Sequence, residues 1–182
     1  MPLLPLAILA INGLALLVDL VVLANARAKA LFFRFPVVVQ KLFVGVVVGP
    51  LFVAPLLPQD RVPLPATLAL PAGLVLLGIG IGLILAAFTR IGVVPSLRKQ
   101  SDLVTTGVYA VVRHPIYAGT LIAALGWGIL LRCGLLLGYF PLLCLLYLAL
   151  IGLEERGLLA EYGDEYRRYR QRGPNRLVPF LF

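Results

Sequence analysis

Five long apolar stretches, each close to the length of a bilayer-crossing helix, dominate this 182-residue sequence. They cover residues 3–23, 37–57, 64–88, 116–131 and 135–153. A helix needs about 20 apolar residues to cross about 30 Å of hydrocarbon, and open strands would leave backbone groups without hydrogen bonds in lipid. The sequence therefore predicts an all-α integral membrane protein with about five transmembrane helices.

The composition leaves little room for a separate soluble domain. Hydrophobic residues make up 61% of the chain and charged residues 13%, whereas soluble domains usually contain about 45–50% and about 25%. The first stretch has neither a basic segment before it nor a cleavage-site pattern after it, so we interpret it as a retained span rather than a signal peptide.

The positive charges are distributed unequally between the two sides of the five stretches. Of the 16 Lys and Arg residues, Arg61 and Arg132 lie in the connections on one side, and the other 14 flank the first connection, the third connection and the tail. These are Arg27, Lys29, Arg34, Lys41, Arg90, Arg98, Lys99, Arg113, Arg156, Arg167, Arg168, Arg170, Arg172 and Arg176. The positive-inside rule then predicts an outside N-terminus and a cytoplasmic C-terminus. A nucleic-acid partner is not expected, because the basic residues do not cover one solvated face.

The end of the chain predicts a helical hairpin followed by an amphipathic helix. Only residues 132–134 separate the last two stretches, which indicates a tight turn. Tyr162, Tyr166 and Tyr169 recur on one helical face, so we expect a cytoplasmic C-terminal helix at the membrane interface. Gly163 is expected to break this helix from the last span.

A polar segment, LVTTGVYAVVRHPIYAG at residues 103–119, leads into the fourth stretch. Its Arg113, His114 and Tyr117 place hydrogen-bonding groups at the start of a membrane helix, where Pro115 suits the first turn. The free N–H groups and the positive dipole end of that helix could receive an anion such as a carboxylate. Alternatively, Arg113 and His114 are anchors that reach the headgroups, and Tyr117 belongs to an aromatic belt.

Glu154 and Glu155 form the second candidate feature, where the last span ends. Carboxylates at a membrane boundary cost free energy unless they are solvated or paired, so they are candidates for function. Adjacent helical residues point about 100° apart. One glutamate can therefore bind a ligand while the other pairs with Arg113 or a tail arginine; the alternative is that both are solvated at a helix end.

Other polar and sulfur-containing residues within the stretches are assigned packing or interfacial roles. Cys133 and Cys144 show neither metal-ligand nor disulfide spacing, and no metal site is predicted. Asn12 and Asp19 lie seven residues apart on one face of the first span. We interpret Asp19 as reaching the cytoplasmic interface.

Taken in order, these motifs resemble those of membrane methyltransferases related to isoprenylcysteine carboxyl methyltransferase and phospholipid N-methyltransferase. The pattern is LVTTGxYxxVRHPxYxG, a hydrophobic hairpin, a Glu-Glu pair, a Tyr-rich tract and a terminal proline, over about residues 103–180. Residues 1–100 match only as hydrophobic spans. The resemblance implies an S-adenosylmethionine-dependent enzyme that transfers a methyl group in line to a lipidic or small hydrophobic acceptor.

Carried over by position, the resemblance also implies site residues. Those that would bind S-adenosylmethionine are Gly107, Tyr109, Arg113, His114, Tyr117, Gly119, Glu154 and Glu155. Glu155 and Arg176 would act near the reacting group. Asn175, between Pro174 and Arg176, is a departure from the family pattern.

We therefore expect one membrane domain over residues 1–182. In it, residues 1–100 provide the first three helices and the start of the third connection, and residues 101–182 form the methyltransferase-like, cofactor-binding part. The expected partners are the bilayer and a membrane lipid or hydrophobic small molecule, and the oligomeric state is left open. The acceptor group can be a carboxylate, thiol or amine. A carboxylate or thiolate is easier to accommodate, because an amine must lose a proton and the single histidine is assigned to the cofactor.

Two other functions remain open from the sequence. NADPH-dependent membrane sterol or steroid reductases contain a similar RHPxYxG stretch and a Tyr-rich tail, although the small size of this chain and its glutamate pair favour a methyltransferase. A non-catalytic membrane scaffold, in which the motif residues are only interfacial anchors, is the other alternative.

Overall fold

The computed structural model describes residues 3–91, 103–172 and 175–177. Its helices are α1 (Leu3–Ala24), α2 (Ala26–Phe32), α3 (Val37–Val53), α4 (Ala66–Ile91), α5 (Pro115–Leu130) and α6 (Gly134–Gln171). Short 3-10 turns follow α3 at Ala54–Leu56 and precede α5 at Gly107–Ala110. The described ranges contain isolated β-bridges but no strand. The prediction of an all-α membrane protein is confirmed; Arg98, Lys99, Pro174 and Pro179 lie outside the described residues.

The apolar stretches predicted as spans all become helices. Four of these helices, α1, α3 with its following turn, α4 and α6, are long and apolar enough to cross a bilayer, and α5 is shorter at 16 residues. The chain is therefore an integral, multi-pass membrane protein. Helix α2 was not predicted. It begins because the Asn25 side chain accepts hydrogen bonds from the backbone N–H groups of Arg27 and Ala28, which caps a new helix just beyond α1.

Asn12, which is completely buried, joins three helices. Its amide nitrogen donates to the Val47 carbonyl of α3, and its amide oxygen accepts a hydrogen bond of 2.6 Å from the Tyr139 hydroxyl of α6. A buried amide in an apolar core is tolerated because its donor and acceptor are both used. Lys29 of α2 lies near Gly157 of α6, with Nζ 3.9 Å from the position that a Cβ on this glycine would take. Because the contacts advance from Asn12 to Lys29 on one side and from Tyr139 to Gly157 on the other, α1 and α2 run parallel to α6.

Helices α4 and α5 are antiparallel and pack backbone to backbone through glycines. A Cβ placed on Gly80 would lie 2.5 Å from the backbone nitrogen of Ala123, and one placed on Gly126 would lie 2.5 Å from that of Leu77. Small residues let membrane helices approach this closely, and the gain is van der Waals contact. The arrangement fixes the position of α5, whose first residues belong to the candidate site.

The predicted hairpin between α5 and α6 is present. Arg132 adopts a positive φ of 54° in the turn, and the backbone N–H of Cys133 donates to the Gly128 carbonyl at 2.8 Å. The buried Cys133 thiol accepts a hydrogen bond from the backbone N–H of Leu136 and thereby caps α6. At the far end, Gly163 has a φ of 52°, so α6 is kinked at the predicted residue.

Candidate active site

The start of α5 meets α6 just before the α6 kink. The chain approaches through the 3-10 turn Gly107–Ala110, and His114 occupies the N-cap position with non-helical φ and ψ of −123° and 63°. Pro115 follows at the first helical position, where its missing N–H costs no hydrogen bond. This local structure holds the Arg113 and His114 side chains against the Glu154–Glu155 pair of α6.

Glu155 is the centre of an ion-pair network. Its side chain is only 4% exposed, and Oε1 accepts a hydrogen bond from Arg113 Nε at 2.9 Å. Its Oε2 accepts two hydrogen bonds from Arg176, at 3.1 Å from Nε and 2.7 Å from Nη2. A buried carboxylate needs such pairing to offset the loss of hydration. The expected pairing of one glutamate with Arg113 or a tail arginine is thus observed, and Glu155 pairs with both.

Backbone hydrogen bonds attach the tail to the same place. The Arg113 N–H donates to the Asn175 carbonyl at 2.7 Å, and the His114 N–H donates to the Arg176 carbonyl at 3.1 Å. In return, the Asn175 N–H donates to the Val111 carbonyl at 3.1 Å. These bonds form a short parallel bridge that satisfies the extended backbone before α5 and places Arg176 beside Glu155.

The His114 ring lies between the two glutamates. Nδ1 is 3.5 Å from Glu154 Oε2, and Nε2 is 3.6 Å from Glu155 Oε1. Burial of the ring lowers the pKa of His114, but the adjacent carboxylates of Glu154 and Glu155 outweigh burial, so that the pKa is raised above 6.5. The ring is therefore held inside the protein, with 4% side-chain exposure, rather than at the headgroups.

Tyr117 stacks on His114 from the first turn of α5. Their ring centroids are 5.7 Å apart and the planes are inclined by 6°. Tyr147 of α6 meets the Tyr117 ring edge-on, with ring centroids 5.3 Å apart. Tyr147 was not among the predicted site residues, although its position seven residues before Glu154 puts both on one face of α6.

Three predicted residues lie around this cluster rather than in its centre. Gly107 is exposed and packs near the Arg90 side chain at the end of α4. Tyr109 is buried; its burial, and secondarily the charge of Glu154, raise its pKa above the ordinary value of 10. Gly119 is buried against Gly80 of α4, where a Cβ would lie 2.7 Å from the Gly80 carbonyl oxygen.

Tyr169 is a supporting residue that sequence reasoning assigned only to an amphipathic face. Its hydroxyl donates to the Tyr109 carbonyl at 2.7 Å, and its side chain is buried. The segment after the α6 kink therefore packs back onto the turn that precedes α5. The tyrosine spacing predicted a shared face directed toward lipid or the bundle, and Tyr169 of this face packs against the bundle.

Two buried polar atoms of the cluster, His114 Nε2 and Glu154 Oε2, make no hydrogen bond in the described part of the chain and have only their ion-pair contacts, at 3.6 and 3.5 Å. The Glu154 side chain as a whole is 37% exposed, so this carboxylate also has an open side. Buried polar atoms are normally satisfied, and unsatisfied ones are candidates for ligand contact. Together with Arg113, they form a site that could bind a ligand with both cationic and anionic groups. Over the same residues, no three His, Cys, Asp or Glu side chains gather as metal ligands.

Comparison with known proteins identifies relatives of two kinds. The chain is 40% identical over 84 residues to a protein-S-isoprenylcysteine O-methyltransferase of Schizosaccharomyces pombe, which is 42% of this chain and 33% of that protein. It is 41% identical over 75 residues to methanethiol S-methyltransferase 1 of Bradyrhizobium diazoefficiens, 40% of this chain and 25% of that protein. It is also 38% identical over 87 residues to a Delta(14)-sterol reductase of Mus musculus, 44% of this chain and 20% of that protein.

These matches span a third or less of the length of each relative. No solved structure matches the chain significantly. The model of the phospholipid methyltransferase family matches residues 68–165, from α4 through the glutamate pair to the segment beyond the α6 kink. This match covers more than half of the chain and includes Arg113, His114, Glu154 and Glu155, and the protein therefore belongs to the phospholipid methyltransferase family.

Proposed function

We propose that this protein is an S-adenosylmethionine-dependent membrane methyltransferase acting on a lipidic or small hydrophobic acceptor. Family membership supports methyl transfer. The observation that favours a site at this position is the meeting of Arg113 and His114 with Glu154 and Glu155 in one buried cluster. Segments about 40 residues apart in the sequence thus form one polar cluster in an otherwise apolar bundle.

The side chains present fit the chemistry of S-adenosylmethionine, which has a sulfonium, an ammonium and a carboxylate. Glu154 offers a cation a buried carboxylate oxygen that makes no hydrogen bond in the described residues, and His114 Nε2 offers a buried nitrogen to a polar group. The first-turn N–H groups of α5 and the nearby Arg113 suit a carboxylate. We propose Arg113, His114, Tyr117 and Glu154 as the binding residues. We propose that four further residues of the S-adenosylmethionine site surround or support these four: Gly107, Tyr109, Gly119 and Glu155.

The protein's own contribution in this proposal is alignment and exclusion of water. When bound, S-adenosylmethionine supplies an already activated methyl group, so a positioned acceptor is the main requirement. His114 and Tyr117 form a stacked wall. Glu155 holds Arg176 of the tail on one side of the cluster through two hydrogen bonds. We propose that Glu155 and Arg176 lie next to the reacting group on that side.

We further propose that the cluster faces the cytoplasm and that residues 101–182 form the cofactor-binding part of a single domain. The excess of cations on that side supports this orientation. The parallel arrangement of α1 and α6, with Asn12 beside Tyr139 and Lys29 beside Gly157, is consistent with an odd number of crossings. A lipidic acceptor would enter between the helices from the bilayer.

The direct test is binding of S-adenosylhomocysteine, the product of the methyl donor, to purified protein by calorimetry. We expect binding to the wild-type chain and a loss of at least about tenfold in affinity for Glu154→Gln, because a charge-assisted contact contributes about 1.5–3 kcal/mol. Glu161→Gln, on an exposed part of α6, is the matched control. A wild-type protein that does not bind the compound would contradict the proposal.

The second candidate function is reduction of a sterol-like substrate with NADPH. The match to the mouse Delta(14)-sterol reductase, which covers 44% of this chain, favours it. Calorimetry with NADPH separates the two functions. Binding of NADPH without binding of S-adenosylhomocysteine would favour the reductase.

A further inference from the structure

A cavity of about 400 Å³ lies beside the α6 kink, between the helix on both sides of the kink and the segment that precedes α5. The described residues that line it are Arg113, Leu159, Arg167, Arg170 and Gln171. Ligand cavities in proteins usually have volumes of about 300–1,000 Å³. Three of these five residues are arginines and none of them is acidic, so the cavity favours an anion.

The helical segment beyond the kink has two different faces. Arg167, Arg170 and Gln171 are spaced by three and four residues and share one face. Tyr166 and Tyr169 belong to another face and are buried. The Tyr169 hydroxyl donates at 2.7 Å to a backbone carbonyl of the turn before α5. The tyrosine face is thus fixed against the protein, while the arginine face lines the cavity.

The positive charges at the cavity are only partly balanced by the described residues. Arg113 pairs with Glu155, and Arg167 pairs with Asp164 at 2.8 Å. In the second pair the side chains are 64% and 75% exposed, and such surface pairs contribute little free energy. Arg170 forms no ion pair over the described ranges. An anion in the cavity would therefore meet one unbalanced guanidinium and a second that Asp164 holds only weakly.

The cavity lies at the level of the lipid headgroups. From Gly134 to Glu154, α6 rises about 30 Å, which is the thickness of the hydrocarbon core. Leu159 follows one and a half turns later and lies about 7–8 Å further along the helix. The headgroup layer occupies about 5–8 Å on each side of the core. A lipid can thus offer its phosphate to the arginines while its chains remain in the bilayer beside α6.

We propose that this cavity binds the phosphate head of an anionic membrane lipid and so holds the segment beyond the kink at the membrane surface. A guanidinium donates pairs of parallel hydrogen bonds to phosphate oxygens. Basic clusters next to a membrane helix also attract anionic lipids. Arg167, Arg170 and Gln171 lie outside residues 68–165, which match the family, so the assignment depends on this structure. The bound lipid is a ligand and not the methyl acceptor, and the inference does not depend on the proposed methyl transfer.

Titration with a matched set of compounds tests the site without catalysis. Full-length protein in phosphatidylcholine nanodiscs is titrated calorimetrically with dioctanoyl phosphatidic acid, and empty nanodiscs serve as the blank. Dioctanoylglycerol has the same chains without the phosphate, and glycerophosphate has the phosphate without the chains. We expect phosphatidic acid to bind at least about tenfold more tightly than either of them.

Three variants separate the cavity from a general effect of net charge. Arg170→Gln should weaken the binding of phosphatidic acid about tenfold, because it removes charge-assisted hydrogen bonds. Arg168→Gln is the matched control, since it removes the same charge from an exposed arginine outside the lining, and the affinity should stay within about twofold. Asp164→Asn frees Arg167 from its carboxylate and should strengthen binding about two- to fivefold.

Thermal unfolding in detergent checks that each variant folds. If Arg170→Gln does not fold, Arg167→Gln replaces it and should also weaken binding, whereas a variant that is merely damaged would not explain tighter binding in Asp164→Asn.

Several results would overturn the proposal. Equal weakening by Arg170→Gln and Arg168→Gln would reduce the effect to net charge. Equal affinity for phosphatidic acid and dioctanoylglycerol, or binding of neither, would exclude a phosphate site. Glycerophosphate binding as tight as that of phosphatidic acid would assign the cavity to a soluble phosphate ester instead of a lipid. Absence of S-adenosylhomocysteine binding would contradict the methyltransferase proposal and leave this one standing.

Discussion

Arg176 donates two hydrogen bonds, from Nε and Nη2, to the same carboxylate oxygen of Glu155. The other oxygen of that carboxylate accepts from Arg113, which precedes α5. One buried glutamate of α6 thus joins the tail to the segment that begins α5. The network explains why residues distant in the sequence share one cluster.

Replacing Arg176 by alanine should loosen the tail. Two charge-assisted hydrogen bonds are lost, and the backbone bonds from the Arg113 and His114 N–H groups to the tail should then open more often. We expect hydrogen exchange at these two amides to accelerate about tenfold or more. Arg176→Lys, which retains charge but cannot donate from a planar guanidinium, should give an intermediate rate. Unchanged exchange in the alanine variant would show that the tail is held by other contacts.

Glu155→Gln should destabilise the fold. The substitution leaves Arg113, with an 11% exposed side chain, without its carboxylate partner. Removing one member of a buried ion pair costs about 3–5 kcal/mol, and we expect the lower end because Arg176 is 40% exposed. Thermal unfolding in detergent measures the effect. Glu165→Gln, at an exposed position of the same helix, is the control and should unfold close to the wild-type temperature.

The stability contributed by His114 should fall as pH rises. The glutamates raise its folded-state pKa above 6.5, so its contribution is fully present below about 6.5 and is lost as pH increases through the raised value. His114→Asn removes this titration. We expect the difference in Tm between wild type and variant to be largest at acidic pH and to shrink above neutrality. A difference that grows with pH would show that the neutral imidazole is the stabilising form.

Gly80→Ala should disturb the contact between α4 and α5. The added methyl group would lie 2.5 Å from the Ala123 nitrogen and 2.6 Å from the Gly119 carbonyl oxygen, which are backbone atoms that cannot rotate away. Overpacking of this kind costs about 1–3 kcal/mol. Gly82→Ala is the matched control, because no atom lies within 4 Å of its added Cβ. The control should unfold at or slightly above the wild-type temperature, since alanine favours helix.

The membrane helices could be predicted because each is a long apolar run, and lipid permits little besides helix for such a run. The kink at Gly163 and the turn at Arg132 were also predicted from local residue chemistry. Helix α2 was missed because its seven residues contain no buried face to produce a pattern. The close contact through Gly80 was missed as well, since a glycine within an apolar stretch does not indicate which helix it touches.

The site was only partly predictable for a physical reason. Charge and spacing indicated that one glutamate pairs with an arginine, because an unpaired carboxylate at that depth is costly. The bridge between Asn175 and the segment before α5 uses backbone atoms alone, and therefore leaves no signal in side-chain types.

Helix α5 has 16 residues and is therefore about 24 Å long, whereas the hydrocarbon core is about 30 Å thick. Arg132, in the hairpin turn, favours the opposite membrane surface for the other end of α5. The shortfall of about 6 Å thus falls at His114, which would lie beneath the level of the lipid phosphates rather than among them. A water-soluble molecule would have to descend below the level of the phosphates to reach this histidine, whereas the head of a lipid arriving sideways would have to move inward by only about 6 Å.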